Sequence, residues 1–225
     1  MSRGRFITFE GVEGAGKSTH ARLFVEALKE RGVEAHLTRE PGGCPLAEKI
    51  RALILEERED PPVPRAELLL MQAARAQHVD RVILPKLEAG VWVVSDRFYH
   101  STLAYQMFAR GLDPGFTRAA IEYAIDGAHP DATVILDLPV EEGLARQGER
   151  NRMEDEGRAF HQAVREAFLS LAAEEPQRVH LVDASGSVEE VRRRVMQTLE
   201  PLLKDVGRPG RKEVADRSGE EGSLR

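Results

Sequence analysis

Only one cysteine, Cys44, occurs in the 225 residues, so no internal disulfide can form and a reducing cytoplasm is the expected location. No apolar run approaches the roughly 20 residues that a membrane-spanning helix needs, and no signal-peptide core stands at the start. A soluble chain with no membrane partner is expected. There is no basic excess either: 32 Lys and Arg against 38 Asp and Glu give a formal charge of −6. That argues against nucleic acid as a partner, because such binders carry a basic face that releases counterions. Small anions met at local arginine clusters fit better. The seven histidines show no metal-ligand spacing. The length fits one domain able to bury its own core.

What the sequence does have is the string Gly11-Val12-Glu13-Gly14-Ala15-Gly16-Lys17-Ser18, which fits the phosphate-loop pattern G-x-x-x-x-G-K-[ST]. Glycines let consecutive N–H groups turn inward around phosphate oxygens, and the following helix adds its positive N-terminal end. Lys17 is expected to reach the β- and γ-phosphates of ATP, and the Ser18 hydroxyl to ligate Mg²⁺. The flanks agree with this. Phe6-Ile7-Thr8-Phe9 reads as a buried strand entering the loop, and Ala21, Phe24, Val25 and Leu28 have helical spacing after it.

Strand-like runs then alternate with helical ones, the pattern of an α/β fold on a parallel sheet. Strands are expected near Phe6–Glu10, Glu34–Thr38, Val91–Ser95, Thr133–Asp137 and Arg178–Val182. Expected helices are Lys17–Glu30, Pro45–Leu55, Arg65–Glu88, Pro114–Ile125, Gly157–Ala173 and Val188–Leu203. Residues 1–204 form the expected domain, with a small lid near 145–157. Beyond Lys204 the sequence turns to Gly, Pro, Ser and charge without apolar periodicity, so 205–225 reads as a disordered tail.

A phosphate loop alone leaves kinases, GTPases and ATPase motors open. The guanine-specificity string N-K-x-D is absent, and the chain carries its own arginines. Arg39 ends the second strand, and ligands of open parallel sheets bind at the carboxyl ends of strands, so Arg39 is expected beside the phosphate loop. Asp96 and Arg97 end a continuous apolar strand. Asp96 could hold Mg²⁺ as a Walker B acid does, and Arg97 offers a two-pronged donor to phosphate. Arg146, Arg150, Arg152 and Arg158 follow the fourth strand on a stretch that could close over the γ-phosphate, although a solvated charged helix explains them too. These residues suggest phosphoryl transfer from ATP to an acceptor that already carries phosphate. Such an acceptor is largely dianionic at neutral pH and needs no general base. A nucleoside monophosphate kinase fits.

At this point the sequence resembles the bacterial thymidylate kinase family. The strings that carry the resemblance are Phe9 to Thr19, Thr38-Arg39-Glu40-Pro41-Gly42-Gly43, Ala73-Ala74-Arg75, Asp96-Arg97-Phe98, Ser101-Thr102 and Ala104-Tyr105-Gln106, in the family's order. The resemblance implies a P-loop NTPase-type three-layer α/β sandwich with a five-stranded parallel sheet. It further implies transfer of phosphate from ATP to dTMP with Mg²⁺, and a homodimer. Gly11 to Thr19 and Ala184, in the loop Val182 to Ser185, would hold ATP. Arg39, Pro41, Met71, Arg75, Arg97, Thr102, Tyr105 and Gln106 would hold dTMP: Arg75 at the thymine edge, Thr102 and Gln106 beside the base, Tyr105 against the sugar. Glu13 would serve the sugar 3′-hydroxyl region; otherwise it would simply point to solvent. Lys17, Arg97, Arg146, Arg150 and Arg152 would be catalytic, and Ser18 and Asp96 would hold the metal. Three departures stand out: Met71 where the family commonly has a stacking phenylalanine, Phe98 where it has tyrosine, and a slightly short lid. Methionine orients a ring less strictly, which implies looser pyrimidine selection. A kinase of another monophosphate, such as dUMP, UMP or dGMP, and a non-catalytic ATP-binding module remain alternatives.

Overall fold

The computed structural model of the chain describes residues 3–56, 59–146 and 156–204. Five parallel strands form one sheet: β1 (Phe6–Gly11), β2 (Ala35–Arg39), β3 (Trp92–Asp96), β4 (Ala132–Asp137) and β5 (Val179–Asp183), in the spatial order β2-β3-β1-β4-β5. β1 is central and buried along its whole length, which suits its mainly apolar start Phe6-Ile7-Thr8-Phe9. Burying Phe6, Ile7 and Phe9 contributes about 1.5–3 kcal/mol each.

The helices are α1 (Lys17–Glu30), α2 (Pro45–Leu55), α3 (Pro64–His78), α4 (Leu84–Glu88), α5 (Tyr99–Thr102), α6 (Pro114–Ile125), α7 (Val140–Arg146), α8 (Arg158–Glu174) and α9 (Val188–Leu203). α1 buries Ala21, Phe24, Val25 and Leu28, the stripe its spacing predicts. α9 starts on a capping box in which the Ser187 hydroxyl accepts from the Glu190 N–H while the Glu190 carboxylate accepts from the Ser187 N–H.

The expected helix Arg65–Glu88 is continuous but not uniform, because Val79–Ile83 between α3 and α4 is π-helical. Pro85 supplies the cause. It has no N–H to donate, and its ring crowds the carbonyl four residues back, so the helix widens and Leu84 N–H donates to Val79 O instead. Two helical runs escaped the sequence reading: α5 with its π-helical continuation Leu103–Ala109, and α7. Each expected strand except the first and fourth begins one residue later, and all but the fourth end one residue later. The ladder explains that shift, since Arg39 pairs with Asp96 and Gly11 with Leu136. The ends of β3 and β4, the two neighbours of β1, therefore lie beside the start of the phosphate loop.

Candidate active site

The β1–α1 connection forms the phosphate loop. Gly14 (φ 71°) and Gly16 (φ 87°) adopt the left-handed region that favours glycine. Gly14 is also required by contact, because a Cβ there would lie 2.1 Å from the Gly143 carbonyl oxygen, and one on Gly143 would lie 2.3 Å from Glu13 O. The loop thus rests backbone to backbone on α7. Lys17, buried at the start of α1, donates to Val12 O at 2.7 Å and stands 3.7 Å from Glu13. Burial lowers the pKa of its ammonium.

β3 runs beside β1 with Phe9 paired to Asp96, so the Asp96 carboxylate arrives next to the loop. The Ser18 hydroxyl donates to Asp96 Oδ2. Asp96 Oδ1 is buried and has no hydrogen-bond partner among the described residues. A buried carboxylate oxygen left unpaired beside a hydroxyl is a donor set that suits a hard divalent cation, so Ser18 and Asp96 fit Mg²⁺.

Arg97 follows with φ 69°, a left-handed conformation that costs a non-glycine residue about 1–2 kcal/mol. Its N–H donates to Phe9 O at 2.9 Å, and its carbonyl accepts from Ser95 Oγ at 2.7 Å. Its guanidinium donates to both Glu13 oxygens at 2.6 Å and to Ser101 Oγ at 3.1 Å, and lies over the Tyr105 ring. The Tyr105 hydroxyl donates to Glu13 Oε1 at 2.8 Å. Burial acts to raise the Glu13 pKa, but Arg97, Lys17 and Tyr105 outweigh it and hold the carboxyl down at about 2. Glu13 therefore does not point to solvent; it faces Arg97 and Tyr105 across the cleft.

The far wall of the cleft comes from α3 and α5. Arg75, 3% exposed, donates through Nε to Glu40 at 2.8 Å and through Nη1 to Gln72 Oε1 at 2.8 Å and Thr102 Oγ1 at 3.1 Å. Its guanidinium also lies over the Phe98 ring. Glu40 in turn accepts from His78 Nδ1 at 3.0 Å, and His78 Nε2 sits 2.7 Å from Thr38 Oγ1. Burial would raise the Glu40 pKa, yet Arg75 and His78 outweigh it and the carboxyl is held below its ordinary value. Gln106 Nε2 donates to the fully buried Glu67 at 2.9 Å, which leaves the amide carbonyl free to accept elsewhere.

These walls enclose a cleft of about 370 Å³. Among the expected site residues, Glu13, Gly14, Gly16, Lys17, Ser18, Thr19, Pro41, Met71, Arg75, Asp96, Arg97, Thr102, Tyr105 and Gln106 all line it. Gly11, Val12 and Ala15 are buried members of the loop and do not line the cleft. Arg39 departs from expectation. Strand alternation turns Thr38 inward to His78, so Arg39 faces the other way, pairs with Glu48 at 3.0 Å and does not line the cleft. Arg146 is exposed at the end of α7, and its Nη1 donates to Ala184 O at 3.3 Å, joining two expected residues at the loop after β5. Arg150, Arg152 and most of the expected lid lie outside the described residues, as does the tail.

The sequence reading missed six contributors. Arg51 lines the cleft and donates to Pro41 O at 2.8 Å; burial, then the neighbouring Arg39, lowers its pKa. Its signal was available, because it stands on the same helical stripe as Ala47, Ile54 and Leu55. Glu40, Leu55, Phe98 and Ser101 also line the cleft. Glu10, fully buried at the end of β1, lies just beneath it.

A parallel sheet whose central strand feeds a glycine loop into a helix, with an acid at the end of the neighbouring strand, defines a P-loop NTPase-type α/β protein. Comparison with known proteins narrows this. The thymidylate kinase family model matches residues 9–195. A thymidylate kinase of Carboxydothermus hydrogenoformans is 49% identical over 192 residues, 84% of this chain and 93% of that protein. One from Pseudomonas fluorescens is 49% identical over 203 residues, 89% of this chain and 97% of that one. The crystal structure of thymidylate kinase from Ehrlichia chaffeensis matches with a TM-score of 0.69 at 32% identity, covering 88% of this chain and 99% of that chain. The chain belongs to the thymidylate kinase family.

Proposed function

We propose that the chain transfers the γ-phosphoryl group of ATP to dTMP, giving ADP and dTDP, with Mg²⁺ held by Ser18 and Asp96. A phosphate oxygen of dTMP attacks the γ-phosphorus while the bond to the β-phosphate oxygen breaks. The attacking group is already anionic, so the site needs no base; it must hold two anions in line and neutralise them. Lys17 and the loop N–H groups face the donor phosphates, and Arg97 and Arg51 face the acceptor phosphate. The cation supplies charge neutralisation at the donor phosphates when bound.

The observation that carries this reading is one cleft joining the phosphate loop to a base-sized wall with paired hydrogen-bonding character. Arg75 offers donors and Gln106 a carbonyl acceptor, which complements a pyrimidine edge that presents a carbonyl beside an N–H. Thr102 borders the base, Met71 covers its face and Tyr105 crowds the sugar. The lid arginines Arg146, Arg150 and Arg152 belong to the same proposal, as does ATP binding at Gly11 to Thr19 and Ala184.

A homodimer is also proposed. Leu69 on α3 and Phe116 and Tyr123 on α6 are exposed, Tyr123 by 90%, and these two helices pack side by side. Among the described residues no helix is long and apolar enough to cross a membrane, and the single cysteine suits a cytoplasmic enzyme. Lys17→Ala tests the reaction: dTMP-dependent ADP release should fall at least about 100-fold, and a small loss would remove the kinase reading.

A further inference from the structure

Glu10 is an acid buried completely beneath the cleft without lining it: its side chain lies under the β3–α5 turn. Its Oε1 accepts from the Phe98 N–H at 2.8 Å and the Ser101 N–H at 3.3 Å, and its Oε2 accepts from Ser101 Oγ at 2.6 Å. All three donors lie just after Arg97 in the chain, and the left-handed backbone of Arg97 is strained for a non-glycine residue. Ser95 and Phe9 hold that residue from the strand side, and Glu10 holds the residue after it. Ser101 Oγ also accepts from Arg97 Nη1 at 3.1 Å while donating to Glu10. A continuous chain of bonds therefore runs from the buried carboxylate through Ser101 to the guanidinium.

We infer that Glu10 is a positioning residue for the phosphoryl transfer, fixing the Arg97 turn and, through the Ser101 hydroxyl, aiming the Arg97 guanidinium into the cleft. A purely structural role is the competing account, since two buried N–H groups need an acceptor whatever Arg97 does. The chemistry separates the two. A glutamine at this position keeps the carbonyl acceptor for both N–H groups and offers an N–H to Ser101 Oγ, so it preserves the geometry without the charge. Alanine removes both. Alanine at Ser101 leaves the two N–H bonds to Glu10 and breaks only the link to the guanidinium.

The inference rests on the proposed dTMP kinase reaction and is tested with the full chain. Steady-state constants for Mg²⁺-ATP and dTMP, with melting temperature, are measured for wild type, Glu10→Ala, Glu10→Gln and Ser101→Ala. Removing one charge-stabilising donor costs about 100–1,000-fold, and Glu10→Ala displaces Arg97 rather than removing it, so it should lower kcat by roughly 30-fold or more with KM for ATP within about threefold. Glu10→Gln should bring kcat back to within about threefold of wild type, and Ser101→Ala should lower it by about 5–10-fold without loss of melting temperature. Ser101→Ala carries the test if Glu10→Ala does not fold. A folded Ser101→Ala with wild-type kcat overturns the inference, as does a Glu10→Gln enzyme as slow as Glu10→Ala. A wild type with no dTMP-dependent turnover overturns the reaction itself, which is a different failure.

Discussion

Arg97 Nη2 lies 2.6 Å from both carboxylate oxygens of Glu13, an ion pair that joins the β3–α5 turn to the phosphate loop at the floor of the cleft. The arginine is about one-fifth exposed and the acid about one-tenth, so the pair is poorly screened. Burial alone would lower the Arg97 pKa, but Glu13 outweighs it and raises the value well above ordinary. The guanidinium stays charged and ready for a phosphate.

Arg97→Lys keeps that charge and loses the planar fork that reaches Glu13 and Ser101 together. We expect kcat/KM for dTMP to fall about 100-fold, with KM for ATP within about threefold. Steady-state kinetics with each substrate varied in turn checks this, and equal losses for both substrates would contradict an acceptor-side role.

Two acids at the site give opposite pH dependence of stability. The Glu13 folded pKa, near 2, is below its ordinary 4.5, so its stabilisation is present above pH 4.5 and is lost as pH falls from there toward 2. Burial raises Glu10 from 4.5 to about 7, so its charged form weakens the fold as pH rises through that window. Relative to wild type, Glu10→Gln should therefore gain about 3 kcal/mol of stability between pH 4.5 and pH 8. Urea unfolding across that range measures it; a constant difference would mean the carboxyl titrates at its ordinary pKa.

Asp96→Asn removes the carboxylate that accepts from Ser18 through Oδ2 and whose Oδ1 has no partner among the described residues. The Mg²⁺ concentration for half-maximal turnover should rise at least about tenfold, because an amide oxygen is a weaker ligand for a hard cation. An unchanged Mg²⁺ titration would take Asp96 out of the metal site. Excess EDTA should stop turnover of wild type in the same assay.

Met71 lines the cleft on α3, one turn before Arg75. A flat ring there should stack on a pyrimidine better than a thioether, so Met71→Phe should lower KM for dTMP more than for purine monophosphates. The ratio of the two KM values decides, and no change in it would remove the stacking argument.

Light scattering addresses assembly. Twice the chain mass is expected, and a monomer mass would overturn the proposed use of the α3 and α6 face.

Much of this site can be read from the order of residues, and the exceptions have physical causes. Gly11 to Ser18 could be recognised because the loop's function is carried by its own backbone, which needs glycines at fixed positions. Asp96 could be found because a polar residue ending an apolar strand has little structural reason to be there. Arg39 misled because the ladder extends one residue past the expected strand end, and the alternation set by Thr38 turns Arg39 away. Tyr99–Ala109 carries no helical period that the sequence makes visible, and its π-helical bonds, such as Arg110 N–H to Tyr105 O, depend on tertiary packing. The role of Glu10 was hidden for a similar reason, since its partners lie about 90 residues away in the chain.

The central claim is tested most directly by ADP release with Mg²⁺-ATP and, in turn, dTMP, dUMP, UMP, dCMP and dGMP, against a control without acceptor. The account predicts turnover that depends on the acceptor and is strongest with dTMP. Comparable rates for several acceptors would contradict the base reading assigned to Arg75, Thr102, Tyr105 and Gln106, and ADP release indifferent to any acceptor would contradict the kinase itself.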